Sequence, residues 1–148
     1  MPEKFIIRVY GLLIDVERGV LVADEMEAGQ RFTKFPGGGL EWGEGTHDCL
    51  IREWKEELGQ DIIPTEHFYT TDFFQVSAFN KDYQVLSIYY LIKTIGEPQI
   101  PFSVRKFDFK EETNGAESFR WITLNDFHED LLTFPIDRHV AKLIRNKF

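Results

Sequence analysis

The stretch GTHDCLIREWKEELG, Gly45 to Gly59, limits what this chain can fold into more than any other part of it. Thr46 or Asp48 can accept a first-turn backbone N–H, and Gly59 suits the left-handed conformation that closes a helix. The spacing predicts a helix of about three turns. At about 100° per residue, Leu50, Ile51, Trp54 and Leu58 fall on one arc, and Glu53, Glu56 and Glu57 fall on the arc beside it. Three carboxylates therefore share one stripe next to an apolar face.

Carboxylates held side by side repel one another unless a cation stands among them. Oxygen-rich acidic clusters favour hard divalent cations. Mg²⁺ suits them well, because it is held by few carboxylates and keeps coordination sites for water and phosphate oxygens. The competing account is that these glutamates solvate a helix face, paired with Arg52 and Lys55 at helical spacing. What precedes the helix decides between the two. Pro36-Gly37-Gly38-Gly39 predicts a tight turn with free backbone groups, where main chain can approach a metal or phosphate, and Gly43 and Glu44 close that loop onto the helix.

With these residues in place, the segment resembles the Nudix hydrolase family. The family's box reads Gly, five residues, Glu, seven residues, then Arg-Glu-apolar-any-Glu-Glu-any-Gly-apolar. The match runs through Gly38, Glu44, Arg52, Glu53, Trp54, Glu56, Glu57 and Gly59. Chance agreement at the seven Gly, Glu and Arg positions has a probability on the order of 10⁻⁸ to 10⁻⁹ per starting point, so coincidence is rejected. Gln60 departs from the pattern by standing where an apolar residue belongs, with Ile62 and Ile63 close enough to supply the packing. Outside the box, Glu117-Ser-Phe-Arg-Trp121 resembles a late Glu-then-Trp element, and Phe134-Pro135 through Leu143 is similar to the tail of the MutT-type branch.

The resemblance implies hydrolysis of a phosphoanhydride bond in a nucleoside diphosphate linked to another moiety, with Mg²⁺, or Mn²⁺ in its place, as cofactor. By the same resemblance Glu56 and Glu57 are metal ligands and the Gly37 carbonyl adds an oxygen. Glu53 is a further ligand or the base that takes a proton from the attacking water. Arg52 orients a neighbouring carboxylate, and Glu44 secures the loop or an outer-shell water. Glu117 completes the metal site from the late loop, with Glu111 and Glu112 as competing choices. Gly38, Lys34, Arg8 and Asp137 are the expected substrate contacts. Arg8 and Lys34 would meet phosphates, against the competing reading of each as solvated surface, and Asp137 would meet a base edge. Cys49 is expected to be an inert packing residue, and the four histidines to be surface or capping residues.

The rest of the chain bounds these expectations. At 148 residues, 43% hydrophobic and 15% aromatic, it has the size and core-forming capacity of a single domain over residues 1–148. A net charge of −8 argues against a nucleic-acid polymer as partner, so the expected partner is a small nucleotide-like molecule. One cysteine excludes an internal disulfide and fits a cytoplasmic location. Arg8 and Asp15 interrupt the apolar N-terminal run too soon for a signal peptide or membrane span. Family habit allows a monomer or a homodimer.

Phe5 to Asp15 reads as a strand whose partner, Val20 to Ala23, follows a Glu17-Arg18-Gly19 turn. Phe68 to Phe79 and Tyr83 to Lys93 read as a second hairpin across Asn80-Lys81-Asp82. Phe119 to Leu124 is a late strand, Asn125 or Asp126 starts a short helix, and Ile136 to Ile144 has helical spacing. Pro98 to Gly115 is a strand or a loop. The mixture without strict βαβ alternation predicts an α+β protein, and the resemblance makes it a Nudix-like α/β/α sandwich with a mixed central β-sheet flanked by helices.

The substrate class is partly readable. The window Phe74-Gln75-Val76-Ser77 has neither the Pro nor the Tyr that marks branches acting on ADP-ribose or dinucleoside polyphosphates. The Phe134-Pro135-Ile136-Asp137 tail lacks the Asn used for guanine in the MutT branch. Tyr69, Phe73, Phe74 and Tyr83 could stack on a base or fill the core. A non-catalytic Nudix-like nucleotide-sensing regulator is the alternative class. Such modules lose box carboxylates, and this chain keeps them all. An isoprenoid-isomerase-like relative would need a differently placed Cys and Glu pair.

Overall fold

A computed structural model describes residues 1–97 and 101–148. The chain falls into two compact units that interleave along the sequence. The first comprises Met1–Leu12 with Gly37–Ile100, and the second comprises Leu13–Pro36 with Pro101–Phe148.

In the first unit, strands β1 (Lys4–Leu12), β5 (Gly37–Gly39), β6 (Asp61–Thr70) and β7 (Tyr83–Ile95) form a sheet in the order β5-β1-β7-β6. Strand β1 runs parallel to β7 and antiparallel to β5, so the sheet is mixed. Helix α1 (Thr46–Leu58) packs on it through Leu50, Trp54 and Leu58, all buried. Each buried leucine is worth roughly 1.5–3 kcal/mol over its exposed state. The indole of Trp54 sits over Gly11, where an added Cβ would come within 2.7 Å of its Nε1. Only glycine leaves that space open on β1.

The helix ends depart slightly from expectation. Gly45 is the N-cap, and Asp48 reaches back to accept the Gly45 N–H at 3.0 Å. Thr46 lies inside the first turn, where its Oγ1 is bonded to the Tyr90 hydroxyl at 2.7 Å. Gly59 closes the helix at φ 63°, as its type predicts. Gln60 is buried, and its amide donates to the carbonyls of Asp61 and Ile95 at 2.9 Å each. A polar residue is thus accommodated at an apolar position by fastening the start of β6 to the end of β7, while Ile62 supplies the packing.

The second hairpin joins β6 to β7, but its first strand is Asp61–Thr70 and not Phe68–Phe79. Residues after Thr70 return only through scattered bonds, such as Val85 N–H to the Gln75 carbonyl at 2.9 Å. The turn itself is where it was expected: Tyr83 N–H reaches the Asn80 carbonyl at 3.1 Å. Pro36-Gly37-Gly38-Gly39 is also corrected. Its glycines are not a free turn but the strand β5, in register with Arg8, Val9 and Tyr10.

In the second unit, β2 (Ile14–Asp15), β3 (Gly19–Glu27), β4 (Gln30–Lys34) and β8 (Glu117–Ile122) form an antiparallel sheet in which β3 pairs with all three others. The expected first hairpin is therefore β2–β3. The single strand expected over Phe5–Asp15 is divided at Leu12–Leu13 between the two units, a break that this apolar pair does not signal. Gly19 turns the hairpin at φ 105°, with so little space that a Cβ would lie 1.8 Å from the Ile122 carbonyl oxygen. Helix α2 (Pro135–Lys147) buries Ile136, Val140, Ala141 and Ile144. The helix expected at Asn125 or Asp126 is instead a turn closed by Asp126 and Phe127 N–H groups on the Thr123 carbonyl. A 3₁₀ turn follows at Glu129–Leu131, capped by His128 Nδ1.

Residues 101–116 form a loop, and the part of the Pro98–Gly115 expectation at residues 98–100 lies outside the described residues. The α+β expectation holds, with a mixed sheet and, among the described residues, two α-helices. Among the same residues no helix is long and apolar enough to cross a membrane.

Candidate active site

The box residues of the first unit converge on one guanidinium. Arg52 donates from Nε and Nη2 to the two carboxylate oxygens of Glu44, at 3.0 and 2.7 Å. Its Nη1 donates to Glu53 at 3.1 Å and to Glu56 at 3.2 Å. Nη2 also reaches the Gly39 carbonyl at 3.2 Å. One planar cation thereby ties the loop, the strand β5 and two turns of helix α1 together, which the fork geometry of arginine allows and a lysine could not copy.

The charge is not balanced. Glu41, Glu44, Glu53 and Glu56 surround a single guanidinium. Glu57 stands half-buried one residue further along the helix. Excess negative charge among oxygen-only donors is the chemistry of a site for a hard divalent cation.

Glu53 is set by sterics as well as charge. It sits against Gly38, where an added Cβ would lie 2.3 Å from the Glu53 carboxyl carbon and 2.4 Å from each oxygen. At Gly37 a Cβ would lie 2.1 Å from the Val9 carbonyl oxygen. The two glycines thus serve different contacts: Gly37 lets β5 approach β1, and Gly38 leaves room for a carboxylate. Glu53 and Glu44 are largely buried, with side chains 14% exposed, whereas Glu56 is 59% exposed.

The Arg52 hydrogen bonds, followed by the Glu41 N–H, hold the Glu44 carboxyl at about 2, below its ordinary 4.5. Arg52 is pushed further up, chiefly by its bonds to Glu44. Cys49 lies buried beneath this array with its thiol pushed up to about 12 by burial, as expected of an inert packing residue.

The expected substrate contacts divide between the units. Arg8 lies half-buried on β1, donating from Nε to the Tyr10 hydroxyl at 2.6 Å, with its guanidinium 5.5 Å from that ring's centre. Tyr10 stacks on Tyr89 at 5.1 Å, and Tyr69 tilts against Tyr89 at 6.3 Å. Tyr69 is therefore part of an aromatic cluster, while Phe73 and Phe74 stand exposed. In the second unit, Asp137 is buried in the first turn of α2, where the helix dipole favours a carboxylate. Lys34 corrects the reading of a solvated lysine: it is 4% exposed, and its ammonium pairs with Glu25 at 3.0 Å.

Glu117 is exposed on β8, directly opposite Glu25 on β3, and their carboxylate oxygens lie within 4.8 Å. Glu25 is the residue that sequence reasoning missed. Its partnership with Glu117 depends on a strand pairing between distant segments, which no local spacing encodes. Of the competing acids, Glu112 forms an ion pair with Arg31, and Glu111 is exposed.

The family model described as NUDIX domain matches residues 4–144. The chain belongs to the Nudix hydrolase family. Similar solved structures include the E. coli ORF135 protein, with a TM-score of 0.71, 17% identity, and coverage of 97% of this chain and 90% of that one. A MutT protein, from work on Aliivibrio salmonicida and Vibrio cholerae, has a TM-score of 0.65, 22% identity, and coverage of 98% and 100%. An ADP-ribose pyrophosphatase from Streptococcus suis 89-1591 has a TM-score of 0.56, 16% identity, and coverage of 93% and 84%. A search of curated proteins found no match. The family's chemistry is hydrolysis of pyrophosphate linkages in small nucleotide-like molecules, generally with a divalent metal.

Two outcomes follow from the geometry. Gly38→Ala should leave stability within about 1 kcal/mol, since the flexible end of Glu53 can shift. Hydrolytic turnover should nonetheless fall on the order of a hundredfold as that carboxylate leaves its place; a turnover equal to the parent's would contradict the assignment. For Glu44, a folded-state value below the unfolded one means a stabilisation complete above pH 4.5 and lost as pH falls toward 2. Melting curves over that window should fall more gently with acid in Glu44→Gln than in the parent, and parallel slopes would show that the Arg52 clamp carries no such linkage.

Proposed function

We propose that this chain is a Mg²⁺-dependent hydrolase, able to use Mn²⁺, that cleaves the phosphoanhydride bond of a nucleoside diphosphate linked to a further group, such as a modified nucleoside triphosphate. The observation that carries the proposal is the array of carboxylates fixed by Arg52 beside glycines that keep space open. Glu56 and Glu57 are the proposed metal ligands, joined by the Gly37 carbonyl and by Glu117. Glu53 is either a further ligand or the base that takes the proton from the attacking water. When bound, the cation supplies charge neutralisation on the phosphate oxygens. Arg52 and Glu44 act by holding Glu53 and Glu56 in place before substrate arrives.

Substrate recognition is assigned to Arg8, Gly38 and Asp137. Arg8, whose Nε donates to the Tyr10 hydroxyl, is the cation assigned to a substrate phosphate. Asp137 is the carboxylate assigned to the donor edge of a base. A soluble protein in the cytoplasm, where nucleotides are abundant, is the setting this reading requires.

Incubation with Mg²⁺ and a panel of nucleoside triphosphates, nucleotide sugars and dinucleotides should yield new phosphorylated products from at least one compound. Chelation should abolish the reaction, and Glu57→Gln should reduce it by more than about a hundredfold while circular dichroism remains unchanged. Undiminished turnover in either case would overturn the metal assignment.

Residues 1–148 are proposed to act as one domain, because the chain passes between the two units three times and each unit is built from separated segments. Urea unfolding followed by far-ultraviolet dichroism and by tryptophan fluorescence should then give coincident single transitions. Two resolved transitions would instead make the units independent.

A further inference from the structure

Lys34, Glu25 and Glu117 lie on three adjacent strands of the second unit. Ala23 is the partner of Lys34 in the β3–β4 register, and Glu25 is the partner of Glu117 in the β3–β8 register. Side chains two apart on β3 share a face, so Lys34 reaches Glu25 diagonally and Glu117 faces Glu25 directly. The result is a row running from ammonium to carboxylate to carboxylate across β4, β3 and β8. The Lys34 side chain is 5% exposed and that of Glu25 is 18% exposed, while Glu117 at the end of the row is exposed.

The opposite face of the same strands holds this row still. Asp24, fully buried, accepts from Thr33 Oγ1 at 2.7 Å and from Arg120 Nε and Nη2 at 2.6 and 3.2 Å. It also accepts the Phe107 N–H at 3.1 Å, pinning the 101–116 loop where Phe107 adopts a φ of 55°. Neighbouring residues of β3, β4 and β8 are thereby cross-linked behind the Lys34–Glu25–Glu117 row.

An ammonium taken out of water needs a carboxylate beside it, and two carboxylates within 4.8 Å swing apart unless a positive charge holds one of them. We propose that Lys34 and Glu25 are positioning residues for the divalent cation: Lys34 fixes Glu25, and Glu25 in turn fixes the orientation in which Glu117 meets the metal. This rests on the reading of Glu117 as a metal ligand, and it gives Lys34 a task other than contact with substrate phosphate. Removing either partner spoils the arrangement. Without Lys34, Glu25 and Glu117 repel; without Glu25, Glu117 loses the group that sets its orientation. Removing both together takes away the same positioning and no more.

The test measures Mn²⁺ binding to the full chain without substrate, by electron paramagnetic resonance of the free ion, alongside metal activation and substrate KM. Lys34→Met and Glu25→Gln should each weaken Mn²⁺ binding about 10- to 100-fold, the range for groups that orient metal ligands. The double variant should lose no more than the weaker-binding single variant, a strong non-additivity of the kind neighbours show. In Lys34→Met the metal activation constant should rise while substrate KM at saturating metal stays within about twofold, because uniform substrate binding is untouched.

Unchanged Mn²⁺ affinity in both single variants, additive losses in the double, or a raised KM with intact metal binding would overturn the proposal, the last by making Lys34 a substrate contact. Should Lys34→Met fail to fold, Lys34→Arg serves, since it keeps the charge and should bind Mn²⁺ within about threefold of the parent if charge is what matters. A hundredfold loss there would equally count against the idea. If the parent chain itself neither binds Mn²⁺ nor hydrolyses any compound of the panel, the fault lies with the proposed function; a working parent with indifferent variants faults only the Lys34–Glu25 assignment.

Discussion

The guanidinium of Arg52 is the interaction on which the first unit's array of carboxylates depends. Its five N–H groups are shared among Glu44, Glu53, Glu56 and the Gly39 carbonyl. Carboxylates at i+1 and i+4 on one helix, and a third from the preceding loop, would scatter if left to mutual repulsion. A planar, permanently charged fork draws them to one place and in the same act fixes the helix to strand β5. The cost is an excess of negative charge, which on the proposed function a divalent cation would offset.

Glycine has an unusual share in this arrangement, and for three separate reasons. Gly11 gives way to the Trp54 indole that anchors helix α1. Gly37 permits main-chain approach between β5 and β1, and Gly38 leaves the volume into which the Glu53 carboxylate fits. A side chain at any of these positions would move the helix, the strand or the acid. These glycines therefore act by what they omit.

The second unit solves a related problem with a sheet. Strands β3, β4 and β8 carry a buried cross-link on one face, centred on Asp24, and a charged row on the other, from Lys34 through Glu25 to Glu117. Side chains that alternate between faces let neighbouring residues of β3, Asp24 and Glu25, serve rigidity and charge placement respectively. In the helix, charge placement and anchoring are both assigned to Arg52. A sheet can divide these tasks because each strand presents two faces at adjacent positions.

Local sequence determined the acidic helix, its closing glycine, the apolar face that packs on a sheet, the inert cysteine and the family to which the chain belongs. These features are encoded by spacing within about twenty residues, where helical periodicity leaves little choice. Tertiary structure decided what spacing could not reach. Gly37–Gly39 became a strand because β1 lay ready to pair with it, and the run from Phe5 to Asp15 was broken because its two ends join different sheets. Lys34 left the solvent because Glu25 stood diagonally across from it, and Glu25 met Glu117 only through β3–β8 pairing. Strand partners are chosen by burial and register between distant segments, so the chain's own order along the sequence carries no local mark of them.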